Sequence, residues 1–445
     1  MIVRSKEHLQ PACRDQLLRS VLSEFLMGRP EREKLRRYYE NSHPIANRRR
    51  EKGLPNHCLS HGFARYIVTM AGGYLLGKPV SYQSPDQPEA LSALHKAYER
   101  TDVSSVDAEL ARTASIYGRG VEVLFSDENA HPRTAAVSPE QAFVVYDAGI
   151  SLKPLFGIHF AEKRTVDHQL QGYRIEMYLP DCVEVYETPQ LLCAAYGTPL
   201  VTPHFFGGVP MIEYWNGEDE QGDFAAVLSL IDAYDRLESD RVNDKEQFVD
   251  ALLVITGARL ETDEQGRTPA QQLRQDKLLY LPDQEAQASY LARSLPENDV
   301  EVLRRALKSD IHKFSLVPDL TDEHFAGNSS GVAMKFKLLG LDHLIRIKER
   351  WFREALRERL RRFAHFLQVQ GGKPLDVEGV QMVFARSLPV NDLEISQTVM
   401  NYRGFVPDEM LLSQVPFVQD AKRCKKTEVK TPELWKLFID KICTA

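Results

Sequence analysis

The chain has 445 residues, 43% of them hydrophobic and 27% charged, enough for a sizeable core and for about two to four sub-structures. Its net charge of −7 argues against a protein whose whole surface grips nucleic acid. Six cysteines are scattered at Cys13, Cys58, Cys182, Cys193, Cys424 and Cys443 with no C-x-x-C and no clustered His, which speaks against a zinc site and a disulfide framework. The first residues, MIVRSKEHLQPACRDQ, lack the apolar core of a signal peptide, and no run approaches the roughly 18 apolar residues of a membrane span. The reading is of a reduced protein, neither exported by a signal peptide nor membrane-spanning.

In chain order, residues 14–39 read as a helix with Leu17, Leu18, Val21, Leu22, Phe25 and Leu26 on one side. The basic turn Arg48-Arg49-Arg50 reads as a solvated surface run. A second helix is expected over 56–76. Gly72 to Lys78 spells G-x-x-x-x-G-K, but Pro79 stands where a P-loop needs Ser or Thr, and a helix precedes it where a strand is required. More helix covers 89–116. Short strands follow at 121–126, 135–137, 142–147, 155–160, 173–179 and 183–186, a meander in an α+β region that 211–215 closes.

After residue 216 the composition changes. Residues 223–250 form one expected helix, crowded with Asp232, Asp235, Glu238, Asp240, Asp244, Glu246 and Asp250 against Arg236, Arg241 and Lys245. Residues 251–256 and 277–281 read as strands, the latter after a polar insert, and 297–314 as helix. The segment 223–316 therefore reads as an elongated helical hairpin carrying a small α/β tip.

The loop Phe325-Ala326-Gly327-Asn328-Ser329-Ser330-Gly331 opens onto a long, basic, apolar-periodic helix over 332–370. Leu338, Leu341, Ile345, Phe352, Leu356, Leu360, Phe363 and Leu367 make one stripe, and the helix would span roughly 55–60 Å. Its cations, Arg346, Lys348, Arg350, Arg353, Arg357, Arg359, Arg361 and Arg362, have Glu349, Glu354 and Glu358 within helical reach, so pairing along the helix or with another subunit is expected. Residues 327–331 fit G-x-S-x-G, but that motif needs a buried strand before the Ser, and VPDLTDEH upstream is polar and broken by Pro318. A flexible capping loop is the preferred reading, with a phosphate cradle at the helix N-terminus second. Residues 380–384 read as a strand, followed by a helix, a turn at Arg403-Gly404-Phe405 and amphipathic C-terminal helix.

Several stretches together resemble one family: Asn56 to Tyr82, ending GYLLGKPVSY; ELARTASIYGRGVEVLF; SPEQAFVVYD; GNSSGVAMKFKLLGLD; and VFARSLPVNDLEISQ with GFVPDEMLLSQVPFVQD. The chain resembles the portal proteins of tailed bacteriophages, of the long, non-contractile-tailed type found with Gram-positive hosts. The resemblance implies an α+β, elongated, multi-part fold. Its divisions would be a wing over 1–222, stem helices over 223–250 and 297–316, a clip over 251–296, a tunnel-loop region over 317–331, a long wing helix over 332–370, a wing strand and return over 371–400, and a short helical crown over 401–445.

It further implies a ring of about twelve subunits at one capsid vertex, assembled in the host cytoplasm. Double-stranded DNA would be packaged and ejected non-specifically through that ring. The terminase large subunit, head-completion proteins, scaffold and major capsid protein would dock on it, with no membrane contact. Phe325, Ala326, Gly327, Asn328, Ser329 and Ser330 would face DNA, and Asp232, Asp235, Glu238, Asp240, Asp244 and Glu246 would line the stem. No catalytic residue, cofactor or metal is implied. The alternatives are a serine hydrolase using Ser329 and a monomeric DNA-binding or scaffold protein using the long basic helix.

Overall fold

The computed structural model describes residues 1–52, 54–249, 252–256, 287–291, 297–321, 336–386, 392–407 and 410–411. They fall into two compact units, Met1–Pro318 with Gly340–Arg386, and Asp319–Leu339 with Ser387–Ala445.

The first unit is built on a six-stranded sheet of order β1-β5-β6-β7-β8-β9. Its strands are β1 (Ile2–Arg4), β5 (Ala142–Asp147), β6 (Pro154–Arg164), β7 (Leu170–Tyr178), β8 (Cys182–Thr188) and β9 (Leu200–Pro203). The meander expected from alternating short runs is present as antiparallel pairs from β5 to β9. Two corrections apply. The N-terminal residues supply an unforeseen strand, β1, parallel to β5 with Ile2 opposite Val145. And β10 (Met211–Trp215) does not close the meander; it pairs antiparallel with β3 (Arg119–Ser126) in a separate sheet of order β10-β3-β4, completed by β4 (Pro132–Val137).

The centre of the body is β5, whose run Ala142, Phe143, Val144, Val145, Tyr146 is buried throughout. Alternation sends Phe143 and Val145 to one face, where α1 (Arg14–Met27) lays down Leu17, Leu18, Val21, Leu22 and Phe25. Ala142, Val144 and Tyr146 go to the other, against Val121, Val123 and Met211 of the second sheet. A strand covered on both faces reads as unbroken apolar sequence, as this one does. The two sheets come close enough at Gly157 that an added Cβ would stand 2.5 Å from the Met211 sulfur.

The expected helix over 14–39 is broken at Gly28 into α1 and α2 (Arg29–Tyr39), with Pro30 in the first turn of the second. The one over 89–116 is likewise split into α4 (Pro88–Arg100) and α5 (Val103–Tyr117). The helix over 56–76 shortens to α3 (Phe63–Leu76), so Gly72 and Gly73 of the P-loop look-alike sit inside a helix. α5 ends at Gly118, whose φ of +82° and an added Cβ 1.9 Å from the Glu220 carbonyl oxygen admit glycine alone. A short pair, β2 (Ser81–Gln83) with β13 (Gln381–Val383), joins distant parts of this unit.

Beyond the sheets lie α6 (Leu228–Val249), α7 (Glu297–Ser315) and α8 (Leu339–Val369). Between α6 and α7, β11 (Leu252–Thr256) pairs antiparallel with β12 (Gln287–Leu291). The strand expected at 277–281 and the loop residues Phe325 to Ser330 lie outside the described residues. The long helix has 31 described residues, about 46 Å at 1.5 Å each. In the second unit, α9 (Asp392–Tyr402) ends in a turn at Gly404, with φ +88°, and buries Val399.

Candidate functional site: the acidic helix and the segments held to it

α6 carries the carboxylates that the sequence singles out, and its partners divide them between two faces. On one face, α6 runs antiparallel to α7: Lys245 pairs with Glu297 at 3.0 Å, Arg241 with Glu297 at 2.9 Å and Glu301 at 3.2 Å, and Arg304 reaches Glu238 at 3.8 Å. Hydrogen bonds from Arg304 and Arg305 hold the Glu301 carboxyl down at about 2. These groups range from half-buried to exposed and border solvent, so the pairing sets geometry more than stability.

The opposite face receives residues 38–61. Tyr38 donates to Asp232 at 2.6 Å, and Arg48 to Asp240 at 2.5 Å, with Arg50 on the same carboxylate oxygen. His57 Nε2 lies 2.6 Å from Glu246. Asp235 is fully buried, with His43 Nδ1 at 2.5 Å and His61 Nδ1 at 2.8 Å on its two oxygens. Burial would raise the Asp235 carboxyl, but the hydrogen bonds from His43 and His61 outweigh it and hold the group below its ordinary range. The backbone joins in: the amides of His57, Leu59 and His61 donate to Asn243 Oδ1 at 2.6 Å, Ser239 Oγ at 2.9 Å and Asp235 Oδ1 at 2.9 Å.

The six acidic positions are therefore not one free stripe. Asp235 is enclosed. Asp232, Asp240 and Glu246 are bonded to residues 38–57, and Glu238 faces α7. Asp244 has no ion pair among the described residues. The basic triplet is likewise no idle surface run, since Arg48 and Arg50 are spent on Asp240. One sequence signal pointed this way: Asp232, Asp235, Ser239, Asn243 and Glu246 recur at spacings of three and four, a polar stripe that wants polar company.

The long helix holds a second polar centre that the sequence reading missed. Arg359, fully buried, donates at 2.6 Å to both Glu122 and Asp107. Glu122 also accepts from Tyr214 at 2.7 Å and from Thr134. Burial, working against the attraction of Arg359, pushes the Asp107 carboxyl up to about 6. Eleven residues earlier, Lys348 donates to Asp223 at 2.5 Å and Ser115 at 2.6 Å. Both cations fall on the apolar stripe, between Ile345 and Phe352 and between Leu356 and Phe363. That position on the stripe was the available signal. Of the others, Arg346, Arg353, Arg361 and Arg362 pair as helical spacing suggests, with Asp342, Glu349, Glu358 and Glu358, while Arg357 and Arg361 also meet Glu378 beyond the helix.

Among the described residues no group of three or more His, Cys, Asp or Glu is placed to hold a metal ion, and no helix is long and apolar enough to cross a membrane.

Known proteins match over nearly the same span. The chain is 22% identical over 434 residues to a portal protein of Clostridium phage phiCD119, covering 92% of this chain and 94% of the relative. It is 23% identical over 382 residues to the portal protein of Bacillus phage SPP1, covering 82% and 74%. Among solved structures, a chain in the neck of an empty GTA particle computed with C6 symmetry aligns at 11% identity and TM-score 0.48, over 86% of this chain and 93% of that one. The family model described as "Phage portal protein, SPP1 Gp6-like" matches residues 19–433, and the chain belongs to that family.

Proposed function

We propose that copies of this chain close head to tail into a ring of about twelve at one vertex of a phage capsid, around a hole wide enough for duplex DNA. The ring is a conduit for packaging and ejection and contributes shape and charge, with no bond-making step. The observation that carries the reading is the family match over residues 19–433, which takes in every described strand but β1, the α6–α7 pair and the long helix.

In this reading α6 and α7 are the stem, residues 251–296 the clip that meets the terminase and later the head-completion proteins, and Phe325 to Ser330 the loop that touches DNA. A polar loop meets the phosphate backbone without reading bases, as a conduit for any sequence requires. The stem's contribution to the lumen is narrower than six carboxylates: Asp235 is withdrawn, Glu238 is turned to α7, and Asp244 with the exposed edges of Asp240 and Glu246 remains to keep phosphates sliding.

The engagement of seven of the eight long-helix cations speaks against a monomer that grips duplex with that helix. Negative-stain microscopy of the purified protein is the test. Rings with an axial hole are expected; single copies under every condition, including co-assembly with scaffold, overturn the proposal. Labelling of Ser329 by a fluorophosphonate would favour the hydrolase instead.

A further inference from the structure

The contact between residues 57–61 and α6 has an unusual construction. The segment has no β-partner among the described residues and runs antiparallel to the helix, with alternate amides, His57, Leu59 and His61, donating to side chains four residues apart, Asn243, Ser239 and Asp235. Two residues of extended chain advance about 6.6 Å and four residues of α-helix about 6 Å, so the rungs stay in step over this length. The bonds are partly reciprocated, since Asn243 donates back to the His57 carbonyl at 3.3 Å and Ser239 to the Leu59 carbonyl at 3.5 Å.

This attachment is made without a buried core. None of the described residues between 54 and 61 is buried, whereas His43 before it and Ala64 and Ile67 after it are completely so. The rungs also differ along the helix. Asp235 is sealed beneath His43, His61 and the ring of Tyr234. At the other end the His57–Glu246 pair stands about half exposed, with side-chain exposures of 49% and 54%, and Asn243 is the last of the four-spaced rungs seen to be buried. Asp235, Ser239 and Asn243 are all fully buried, but the segment over them is exposed at His57 and half-buried at Leu59 and His61, so water reaches the His57 rung first and replaces each bond in turn as it breaks.

We propose that residues 57–61 are a catch on α6 that opens rung by rung from Asn243 toward Asp235, and that its opening frees the distal part of α6 to shift against the sheet-bearing body. Two anchored ends keep the open segment tethered, so the movement is reversible.

Residue-resolved hydrogen exchange on the full chain tests the catch directly. Exchange is expected to be fastest at the His57 amide, slower at Leu59 and slowest at His61, with all three ahead of the β5 amides. Ser239→Ala should accelerate His57 and Leu59 by about threefold to tenfold while β5 is unmoved. Exchange of the three amides together, at the rate of β5, overturns the proposal, since the segment would then open only with the whole body. A second arm rests on the portal reading: the Leu59→Cys, Ser239→Cys variant, oxidised and checked by mass, is expected to form rings that fail to fill capsids until reduced. Rings that fill normally with the crosslink intact refute the catch; absence of rings in the reduced and unmodified proteins alike refutes the portal reading instead. The exchange arm stands whether or not the disulfide closes.

Discussion

The buried centre at Arg359 and the ladder on α6 use the same chemistry, carboxylates answered by cations and polar donors, in opposite surroundings. Arg359, Asp107, Glu122 and Tyr214 come from α8, α5, β3 and β10, and the four groups are between 0% and 4% exposed. On α6 the side chains of Asp235, Ser239 and Asn243 are enclosed, but the segment that covers them is not, and the flanking pairs at Asp240 and Glu246 border solvent. The difference teaches that pairing by itself says little about strength. A charge enclosed with its partner is costly to leave alone, while the same pair at the surface is already half replaced by water.

The enclosed centre depends most on Arg359. Arg359→Met should cost about 3–5 kcal/mol, because Asp107 and Glu122 are left buried with no cation. A denaturant midpoint measures it, and adding Asp107→Asn and Glu122→Gln should recover part of the loss. A midpoint unchanged by Arg359→Met would mean that water already reaches the centre.

Acid and base separate the two sites as well, since Asp107 and Asp235 move in opposite directions. Asp107 rises to about 6 in the folded chain from an unfolded value near 4, so the native state holds the extra proton and this group's contribution falls as pH rises across that window. Stability of the wild type minus that of Asp107→Asn should therefore decline from pH 4 to pH 6, on the order of 2 kcal/mol. Asp235 is held low, so its contribution is present above the ordinary carboxylate range and is lost as pH falls through its folded value. The corresponding difference for Asp235→Asn should shrink on acidification. Two slopes of the same sign would contradict the assignment of environments.

The double change Ser239→Ala, Asn243→Ala removes two rungs and should cost about 1–3 kcal/mol in total, with the amide exchange of residues 57–59 responding more than the unfolding midpoint. The smallest effect is expected at the α6–α7 face. Arg241→Met loses exposed pairs to Glu297 and Glu301, and any change in midpoint should vanish in high salt, where such pairs are screened.

Much of this was legible in order along the chain. The apolar run of β5 announced a strand covered on both faces, the stripe on α8 announced a long packed helix, and the acid-rich 223–250 announced a helix with a polar face. What was not legible was which charges were spent internally. Arg48, Arg50 and Asp240 are separated by about 190 positions, and Arg359 lies 237 from Glu122 and 252 from Asp107. Breaks at Gly28 and Asp102 were missed because helical periodicity continues across them, and only the packing of the two halves shows the turn. β1 was missed because three residues carry no period.

The sequence alone determined the family, the element types in most of the body and the existence of a polar helix pair, because apolar spacing and turn residues act locally and survive without neighbours. The tertiary structure alone decided that Asp235 is enclosed, that Arg359 and Lys348 point inward from a basic helix, and that residues 57–61 borrow α6 side chains in place of a strand. Those outcomes depend on the distance between groups far apart in the chain, and Coulomb attraction and desolvation have no meaning until the fold has set that distance.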